Sequence, residues 1–302
     1  MNSNLHKAKS AKNDEFYTRY EDISNELKYY RKHFKGKVVL CNADDPRESN
    51  FFKFFTNNFE KLELKKVIAT CYKSQDVDLF SDKTSEKAVY QIYEGDKNGN
   101  RRPDPEEIAI RELNGDGDFR SPEVIELLKE ADIVVTNPPF SLFREFIAQL
   151  EEYNKKFLIV GSMNAITYKE TFKLIKLNKL WLGMNNLKEF ITPEGDIKKF
   201  GNINWYTNLD HKKRNEEVVL YKHYSPEEYP TYDNYEAINV DKFMETPIDF
   251  DGVMGVPISF LGKYNPKQFE IVTMSTMSGV SANHWTYING KPKYARIYIK
   301  RK

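Results

Sequence analysis

The chain has 302 residues, 46 of them basic and 45 acidic, so that its net charge is +1. An apolar content of 40% and an aromatic content of 14% exclude an intrinsically disordered chain and are typical of a globular enzyme. No stretch approaches the roughly 18 apolar residues that cross a bilayer, and the polar, basic start of the chain lacks the apolar core of a signal peptide. We therefore expect a cytoplasmic protein without a membrane partner, folded as one large domain or two of ordinary size.

The two cysteines agree with a reducing compartment. Cys41 and Cys71 each stand at the end of an apolar run, and their spacing matches no zinc site. We expect buried thiols and no bound metal.

The first third of the chain alternates strand and helix patterns. Residues 1–13 carry almost no apolar side chains and are expected to be mobile, whereas Ile23 and Leu27 begin a helical pattern near residue 20. Apolar runs at 37–41 and 66–72 predict two buried strands with an aromatic-rich helix between them.

A polar turn at 114–119 joins the next strand-like run to a helix. Ser121 is predicted as the N-cap of that helix and Pro122 as its first residue. The Gly-Asp-Gly-Asp run in the turn is also compatible with a cation site, although the further ligands of a calcium loop are missing.

The segment Asn137-Pro138-Pro139-Phe140 follows the β-branched run 133–135. Because two successive prolines end a strand and exclude a helix, these side chains are expected at the edge of a sheet, where open α/β folds bind ligands. The Asn137 side-chain oxygen and the Pro138 backbone carbonyl can accept hydrogen bonds from an exocyclic amine while Phe140 stacks on its ring. A rigid turn with Phe140 in the core is the alternative.

Strand and helix patterns continue to alternate as far as residue 160, which predicts an α/β fold with a doubly wound, mostly parallel sheet. Beyond residue 221, prolines, tyrosines and short β-branched runs predict a smaller β-rich unit. From residue 263 to 302 there are eight basic residues and one acid, a balance typical of a surface that holds phosphates. A solvated basic terminus is the alternative.

Five segments together resemble the EcoRI-type family of adenine-specific DNA methyltransferases, and the resemblance covers most of the chain. They are Asp-Glu-Phe-Tyr-Thr at 14–18, Cys-Asn-Ala-Asp-Asp-Pro at 41–46, Gly-Asp-Phe-Arg-Ser at 117–121, Asn-Pro-Pro-Phe at 137–140 and Asn-Trp-Tyr-Thr-Asn-Leu at 204–209. The resemblance implies transfer of a methyl group from S-adenosylmethionine to the N6 amine of adenine in a specific double-stranded DNA sequence, with the base flipped out of the duplex.

The Asn-Pro-Pro-Phe segment is similar to motif IV of methyltransferases that act on amines. The resemblance implies catalytic roles for Asn137, Pro138, Pro139 and Phe140, and a cofactor contact for Asn137. It also implies a possible partner, a cognate restriction nuclease, and leaves the oligomeric state open.

Three further segments resemble cofactor motifs. Segment 14–18 is similar to motif X, which lies against the methionine end of the cofactor, and this implies contacts from Tyr17 and Thr18. The alternative is that Phe16 and Tyr17 form a hydrophobic staple at the start of the following helix. Asp118 and Phe119 are similar to motif III, in which the carboxylate accepts a hydrogen bond from the cofactor adenine and the aromatic ring packs on it.

The first strand ends in Asn42, Asp44 and Asp45, where the wider methyltransferase class has a glycine-rich turn that is missing here. The resemblance implies that these residues bind the cofactor, with the two carboxylates attracting its positively charged methionine end. An Asp-Asp-Pro turn that caps a helix is the alternative.

Trp205 and Tyr206 resemble the motif VIII aromatics, which would clamp the flipped base opposite Phe140. The alternative is a pair of core aromatics. The motif order resembles the γ arrangement. After the stretch 1–13, which its composition predicts to be mobile, this order implies a methyltransferase domain at 14–220 and a target-recognition unit at 221–302.

Within the recognition unit, Lys291, Lys293 and Arg296 are candidates for DNA binding. Two alternative functions stay open. One is methylation of another planar amine, such as cytosine N4, an RNA adenine or a protein glutamine. The other is a catalytically degenerate nucleic-acid-binding protein, which the missing glycines favour.

Overall fold

A computed structural model describes residues 16–42, 49–70, 88–192, 195–278 and 285–302. The chain divides into two compact units, Met1–Ala165 with Asn185–Leu209 and Ile166–Met184 with Asp210–Lys302. The expected mobile stretch 1–13 lies outside the described residues, as does Cys71, whereas Cys41 is buried. The functional division at residue 220 stays a prediction.

Nine strands of the described residues form one sheet. They are β1 (Tyr17–Thr18), β2 (Val38–Asn42), β3 (Lys66–Thr70), β4 (Val89–Tyr93), β5 (Ile108–Glu112), β6 (Ile133–Thr136), β7 (Lys156–Ser162), β8 (Trp181–Ile191) and β9 (Ile197–Thr207). Their order across the sheet is β1-β8-β9-β7-β6-β2-β3-β4-β5.

Only the middle of this sheet is parallel. Strands β7, β6, β2 and β3 run in one direction, whereas β9 is antiparallel to β7, and β4 is antiparallel to both β3 and β5. The prediction of an α/β fold with a large central sheet is correct, but the prediction of a mostly parallel sheet is wrong because the sheet is mixed.

The central parallel strand β2 and the outer antiparallel strand β5 differ in burial. All five residues of β2 are buried, as parallel strands with covered faces require. Four of the five residues of β5 are exposed, and β4 and β5 are joined by the loop 94–107 and not by a long helix. The loop returns the chain alongside the strand it left and makes no crossover, so β4 and β5 pair in antiparallel fashion.

Six α-helices occur in the described ranges. They are α1 (Tyr20–Leu27), α2 (Asn50–Asn57), α3 (Phe59–Leu62), α4 (Pro122–Glu130), α5 (Phe143–Glu152) and α6 (Lys169–Lys176). The Ser121 hydroxyl accepts a hydrogen bond from the Val124 amide at 3.4 Å, which confirms the predicted N-cap of α4. None of these helices is both long and apolar enough to cross a membrane.

Helices α2 and α5 cover opposite faces of the sheet. Phe51 of α2 contacts the ring of Trp205, and Phe143 of α5 contacts the ring of Tyr206, with ring centres 6.0 and 5.2 Å apart respectively. Since successive residues of a strand point to opposite faces, the neighbouring Trp205 and Tyr206 of β9 place one helix on each side.

The second unit is built on a smaller sheet. Its five strands are β10 (Thr231–Tyr232), β11 (Tyr235–Asn239), β12 (Met254–Pro257), β13 (Phe269–Met274) and β16 (Arg296–Arg301). They lie in the order β10-β11-β12-β16-β13, and a separate hairpin consists of β14 (Thr286–Ile288) and β15 (Lys291–Lys293). Tyr298 of β16 stacks on Tyr235 with ring centres 3.9 Å apart. A target-recognition role for this unit stays a prediction.

His211 is expected to make the second unit sensitive to acid. Its side chain is buried, its Nε2 lies 3.0 Å from the Leu182 carbonyl, and burial lowers its pKa to about 4. An unfolded histidine has a pKa of about 6.5, so the unfolded state binds a proton more readily than the folded state between these two values. The histidine therefore contributes stability that is present above pH ~6.5 and is lost as the pH falls toward 4.

We expect the free energy of unfolding of the parent protein to fall by about 2–3 kcal/mol more than that of His211→Gln between pH 7 and pH 4. The glutamine amide can still donate to the Leu182 carbonyl but does not titrate. Urea unfolding of both proteins at the two pH values measures the difference, and parallel losses of stability would contradict this role of His211.

Candidate active site

The Asn-Pro-Pro-Phe segment lies at the carboxyl end of β6. Thr136, the last residue of β6, donates its hydroxyl to the backbone carbonyl of Asn42, the last residue of β2. Asn137 and Pro138 follow in buried positions, and Phe140 is half-buried at the start of a 3₁₀ turn. The strand thus ends where the two prolines were predicted to end it, beside the end of its parallel neighbour.

The amide of Asn137 is held in one orientation. Its Nδ2 donates to the backbone carbonyl of Phe16 at 2.6 Å, and the reverse orientation would bring two oxygens together. Its Oδ1 is buried and has no hydrogen-bond partner among the described residues. A buried acceptor left without a donor costs about 1–3 kcal/mol, so this oxygen is suited to a donor supplied by a ligand.

Three more buried side-chain oxygens near this edge have no hydrogen-bond partner in the part of the chain that the structure describes: those of Thr18, Asn42 and Thr70. Asn42 and Thr70 are register partners at the ends of β2 and β3. Thr18 follows Phe16 by two residues, and its carbonyl accepts a hydrogen bond from Asn50 Nδ2 at 2.9 Å. Because buried polar atoms are nearly always paired in native proteins, the oxygens of this cluster are suited to donors supplied by a ligand.

The predicted cofactor residues fall partly at this edge. Thr18 and Asn42 belong to the cluster, and Tyr17 is half-buried beside Thr18 in β1. Asp44 and Asp45 lie outside the described residues. The chemistry of the cluster, hydroxyl and amide oxygens with no carboxylate among them, fits the ammonium and hydroxyl groups of S-adenosylmethionine as hydrogen-bond donors.

Asp118 and Phe119 are occupied by contacts within the chain. The Asp118 carboxylate accepts hydrogen bonds from Arg120 Nε at 2.8 Å and Arg120 Nη2 at 2.6 Å, and it raises the pKa of Arg120. The buried ring of Phe119 meets the ring of Phe146 edge to face, with centres 5.1 Å apart. Adenine binding by Asp118 and Phe119 stays a prediction, in which an adenine amine would be a further donor to the carboxylate.

The carboxylates of the 114–119 turn mainly organise its backbone. Glu123 accepts hydrogen bonds from the backbone amides of Asn114 and Gly115, which lower its pKa, and Asp116 accepts one from the amide of Asp118. No group of three or more Asp, Glu, His or Cys side chains in the described ranges is arranged to hold a metal ion.

The three predicted stacking residues differ in exposure. Phe140 is half-buried, whereas Trp205 and Tyr206 are completely buried. The Tyr206 hydroxyl donates to the Ser162 carbonyl at 2.8 Å, and the Trp205 ring packs on Phe51. In this structure a base could reach Trp205 or Tyr206 only if core side chains moved, and the stacking role of these two residues stays a prediction.

The three predicted DNA-binding residues also differ. Lys291 is exposed on the β14–β15 hairpin, whereas Arg296 is buried to all but 9%. Lys293 Nζ lies 3.1 Å and Arg296 Nη2 lies 3.2 Å from the Asp241 carboxylate. A hydrogen bond from Asn239 and these two cations lower the pKa of Asp241. Arg296 is therefore engaged by Asp241 within the second unit, and of the three Lys291 is the best placed for a phosphate.

Sequence reasoning missed three contributors to the site: Thr70, Asn50 and the backbone carbonyl of Phe16. Thr70 could have been found, because residues at the ends of neighbouring parallel strands lie side by side and Asn42 was already a candidate. The Phe16 carbonyl could not have been found, because its partner Asn137 is 121 residues away in the sequence.

Comparison with known proteins shows which family this chain is similar to. The model of one family, described as adenine-specific methyltransferase EcoRI, matches residues 4–302. The Type II methyltransferase M.EcoRI of Escherichia coli is 49% identical, with 100% of this chain and 97% of that protein covered. Type II methyltransferases of Mycoplasma genitalium and Mycoplasma pneumoniae are each 38% identical, with at least 98% of both chains covered. No solved structure matches.

Proposed function

We propose, since this chain belongs to the EcoRI family of adenine-specific DNA methyltransferases, that Asn137 positions the N6 amine of a target adenine for methyl transfer. The chain is a site-specific DNA-adenine methyltransferase, and its family implies the use of S-adenosylmethionine.

The observation that carries the proposal is the orientation of the Asn137 amide. With Nδ2 bonded to the Phe16 carbonyl, Oδ1 is left as a buried acceptor at the edge of the sheet. An amine that donates to Oδ1 and to the neighbouring Pro138 carbonyl has both protons engaged, which directs its lone pair away from the protein oxygens. The contribution of this site is then mostly positioning, because the methyl donor needs no further activation.

The cofactor residues that we propose surround the same edge. S-adenosylmethionine, when bound, supplies an electrophilic methyl group. Thr18, Asn42 and Thr70 would hold it through their buried oxygens, with further contacts from Tyr17, Asp118 and Phe119. Asp44 and Asp45 complete the proposal as the carboxylates that follow β2 in the sequence.

The substrate is double-stranded DNA, and an adenine within a duplex must leave the stack to reach a buried acceptor. We propose that Phe140 stacks on the flipped base, because it is only half-buried and follows Asn137 by three residues. Trp205 and Tyr206 remain proposed as the opposite wall. The second unit is proposed to hold the duplex, and a cytoplasmic location and a cognate restriction nuclease are proposed with it.

Thr18 and Thr70, whose buried hydroxyls have no hydrogen-bond partner among the described residues, offer a test of the cofactor site. Thr18→Val and Thr70→Val should each weaken binding of S-adenosylmethionine about 5- to 10-fold, because each loses a hydrogen bond to the ligand. Neither should lower the free energy of unfolding, since valine removes a buried hydroxyl that has no partner among the described residues. Calorimetric titration and urea unfolding measure the two quantities.

Thr207→Val is the matched control. Its hydroxyl donates to the Phe157 carbonyl at 2.7 Å and accepts from the Leu209 amide at 2.9 Å. This variant should lose about 1–2 kcal/mol of stability and bind the cofactor as the parent does. Parent-like affinity in both Thr18→Val and Thr70→Val would place the cofactor elsewhere.

A further inference from the structure

The β14–β15 hairpin has one face of aromatic and apolar side chains. Its register pairs Thr286 with Lys293, Tyr287 with Pro292 and Ile288 with Lys291. Directly opposed residues of antiparallel strands lie on the same face, and neighbours along a strand lie on opposite faces. Extending the register by one pair therefore places Trp285 and Tyr294 on the same face as Tyr287 and Pro292.

Burial separates the two faces of the hairpin. Thr286 is completely buried, and Ile288 is 9% exposed and belongs to the core cluster that contains Tyr298. On the other face Trp285 is 40% exposed and Tyr294 is 56% exposed. Their rings meet edge to face with centres 6.2 Å apart. We call Trp285, Tyr287, Pro292 and Tyr294 the aromatic face.

The hairpin is anchored at both ends. At its turn, the amides of Asn289 and Gly290 donate to the Asp233 carboxylate at 3.0 and 2.8 Å. Near its open end, Asn234 Nδ2 donates to the Trp285 carbonyl at 3.0 Å, and Asn234 Oδ1 accepts from the Tyr287 amide at 3.1 Å. The aromatic face is therefore presented by a fixed element, and little ordering entropy is lost when something binds to it.

The charge of this part of the chain selects the kind of partner. From residue 285 to 302 the sequence has six basic residues and no acid. Asp241 pairs with Lys293 and Arg296, but Lys291 stands exposed beside the turn of the hairpin. By the same register Lys291 opposes Ile288, so its side chain leaves the hairpin at the turn, on the face opposite to the aromatic face. A nucleic acid combines flat bases with phosphates, and a small element that carries aromatic rings on one face and an exposed lysine at its turn can contact both.

We propose that the aromatic face contacts nucleobases of the substrate duplex, with Lys291 on an adjacent phosphate. The inference rests on the proposed function and extends it, because it assigns a base-contacting surface outside the methyl-transfer site. Proteins that kink a duplex insert apolar side chains between base steps, and flat side chains such as Trp285 and Tyr294 are suited to this kind of contact.

Trp285 provides a direct readout. The chain has three tryptophans, of which Trp205 is completely buried and Trp181 is covered by the Arg214 guanidinium at 3.9 Å. We expect a duplex that contains the recognised sequence to shield the indole fluorescence from acrylamide, and the shielded component to disappear in Trp285→Phe. Fluorescence that acrylamide quenches equally with and without the duplex would overturn the inference.

Substitutions separate stacking from charge. Trp285→Ala and Tyr294→Ala should each weaken duplex binding roughly 5- to 150-fold without changing its salt dependence, because neither ring contacts a phosphate. Trp285→Phe should retain most of the affinity. Lys291→Ala should flatten the slope of log affinity against log salt by about 0.9. Tyr221→Ala, which removes a ring that is 61% exposed outside the hairpin, should bind as the parent does.

Other outcomes are distinguishable. If the parent methylates no DNA, both the proposed function and this inference are wrong. If the parent methylates DNA but Trp285→Ala and Tyr294→Ala both bind the duplex normally, only the inference about the hairpin fails. If sedimentation shows that Trp285→Ala dissociates a dimer without loss of duplex affinity, the aromatic face joins two copies of this chain and the inference is wrong.

Discussion

Asn137→Ala is expected to lower the rate of methyl transfer to DNA by about 10²–10³-fold while leaving the affinity for S-adenosylmethionine within a few-fold of the parent value. The rate falls because the variant removes the Oδ1 acceptor, and loss of one positioned polar group in an active site commonly has an effect of this size. Cofactor affinity persists because Thr18, Asn42 and Thr70 retain their buried oxygens. Single-turnover transfer of labelled methyl groups and calorimetry provide the two measurements.

Asn137→Asp is the matched control, because it keeps an oxygen at the Oδ1 position and replaces the donor that faces the Phe16 carbonyl. The new carboxylate oxygen would repel that carbonyl, so we expect activity between that of the parent and that of Asn137→Ala. The ratio of its rate to the parent rate should rise as the pH falls, because a protonated carboxyl can again donate to the carbonyl. A parent-like rate for Asn137→Ala would show that Asn137 is only part of a rigid turn.

Trp205→Ala is expected to lower the free energy of unfolding by about 3–5 kcal/mol, which is the usual cost of truncating a buried aromatic side chain. Trp205 is completely buried in β9 and packs on Phe51 of α2. Urea unfolding measures the loss, and Trp205→Phe should recover part of it. A stable Trp205→Ala protein with weak DNA binding would instead support the stacking role.

Phe140→Ala is the contrasting variant. Because this ring is half-exposed, its removal should leave the free energy of unfolding within about 1 kcal/mol of the parent and weaken binding of a duplex with a flipped base by about 1–3 kcal/mol. The pair of variants therefore separates a core aromatic from a substrate aromatic with the same two assays.

Local sequence signals were sufficient for the centre of the fold. Apolar runs identified β2, β3, β6 and β7, and Ser121 with Pro122 located the start of α4, because burial and capping act over a few residues. The antiparallel direction of β4 and β5 was missed, because strand direction depends on which segments pair and not on their composition. The exposure of β5, in contrast to the burial of β2, shows that this outer strand is not covered on both faces as the central parallel strand is.

The site shows the same division between local and long-range information. Asn137 and its prolines could be identified from their own chemistry. The hydrogen bond that orients the Asn137 amide could not be predicted, because its acceptor is the Phe16 carbonyl, 121 residues earlier in the chain. Arg296 illustrates the opposite error, since its charge predicted DNA binding but its side chain pairs with Asp241, 55 residues away. Charge counts identify a basic surface, but ion pairs within the fold decide which residues remain available to a ligand.

The most direct test of the central claim is mass spectrometry of nucleosides from genomic DNA that has been incubated with purified protein and S-adenosylmethionine. We expect N6-methyladenine to accumulate to a plateau set by the number of copies of one recognised sequence, and to be reduced about 10²–10³-fold in initial rate with Asn137→Ala. Accumulation of N4-methylcytosine, or no modified base with DNA but methylation of RNA or protein, would contradict the account.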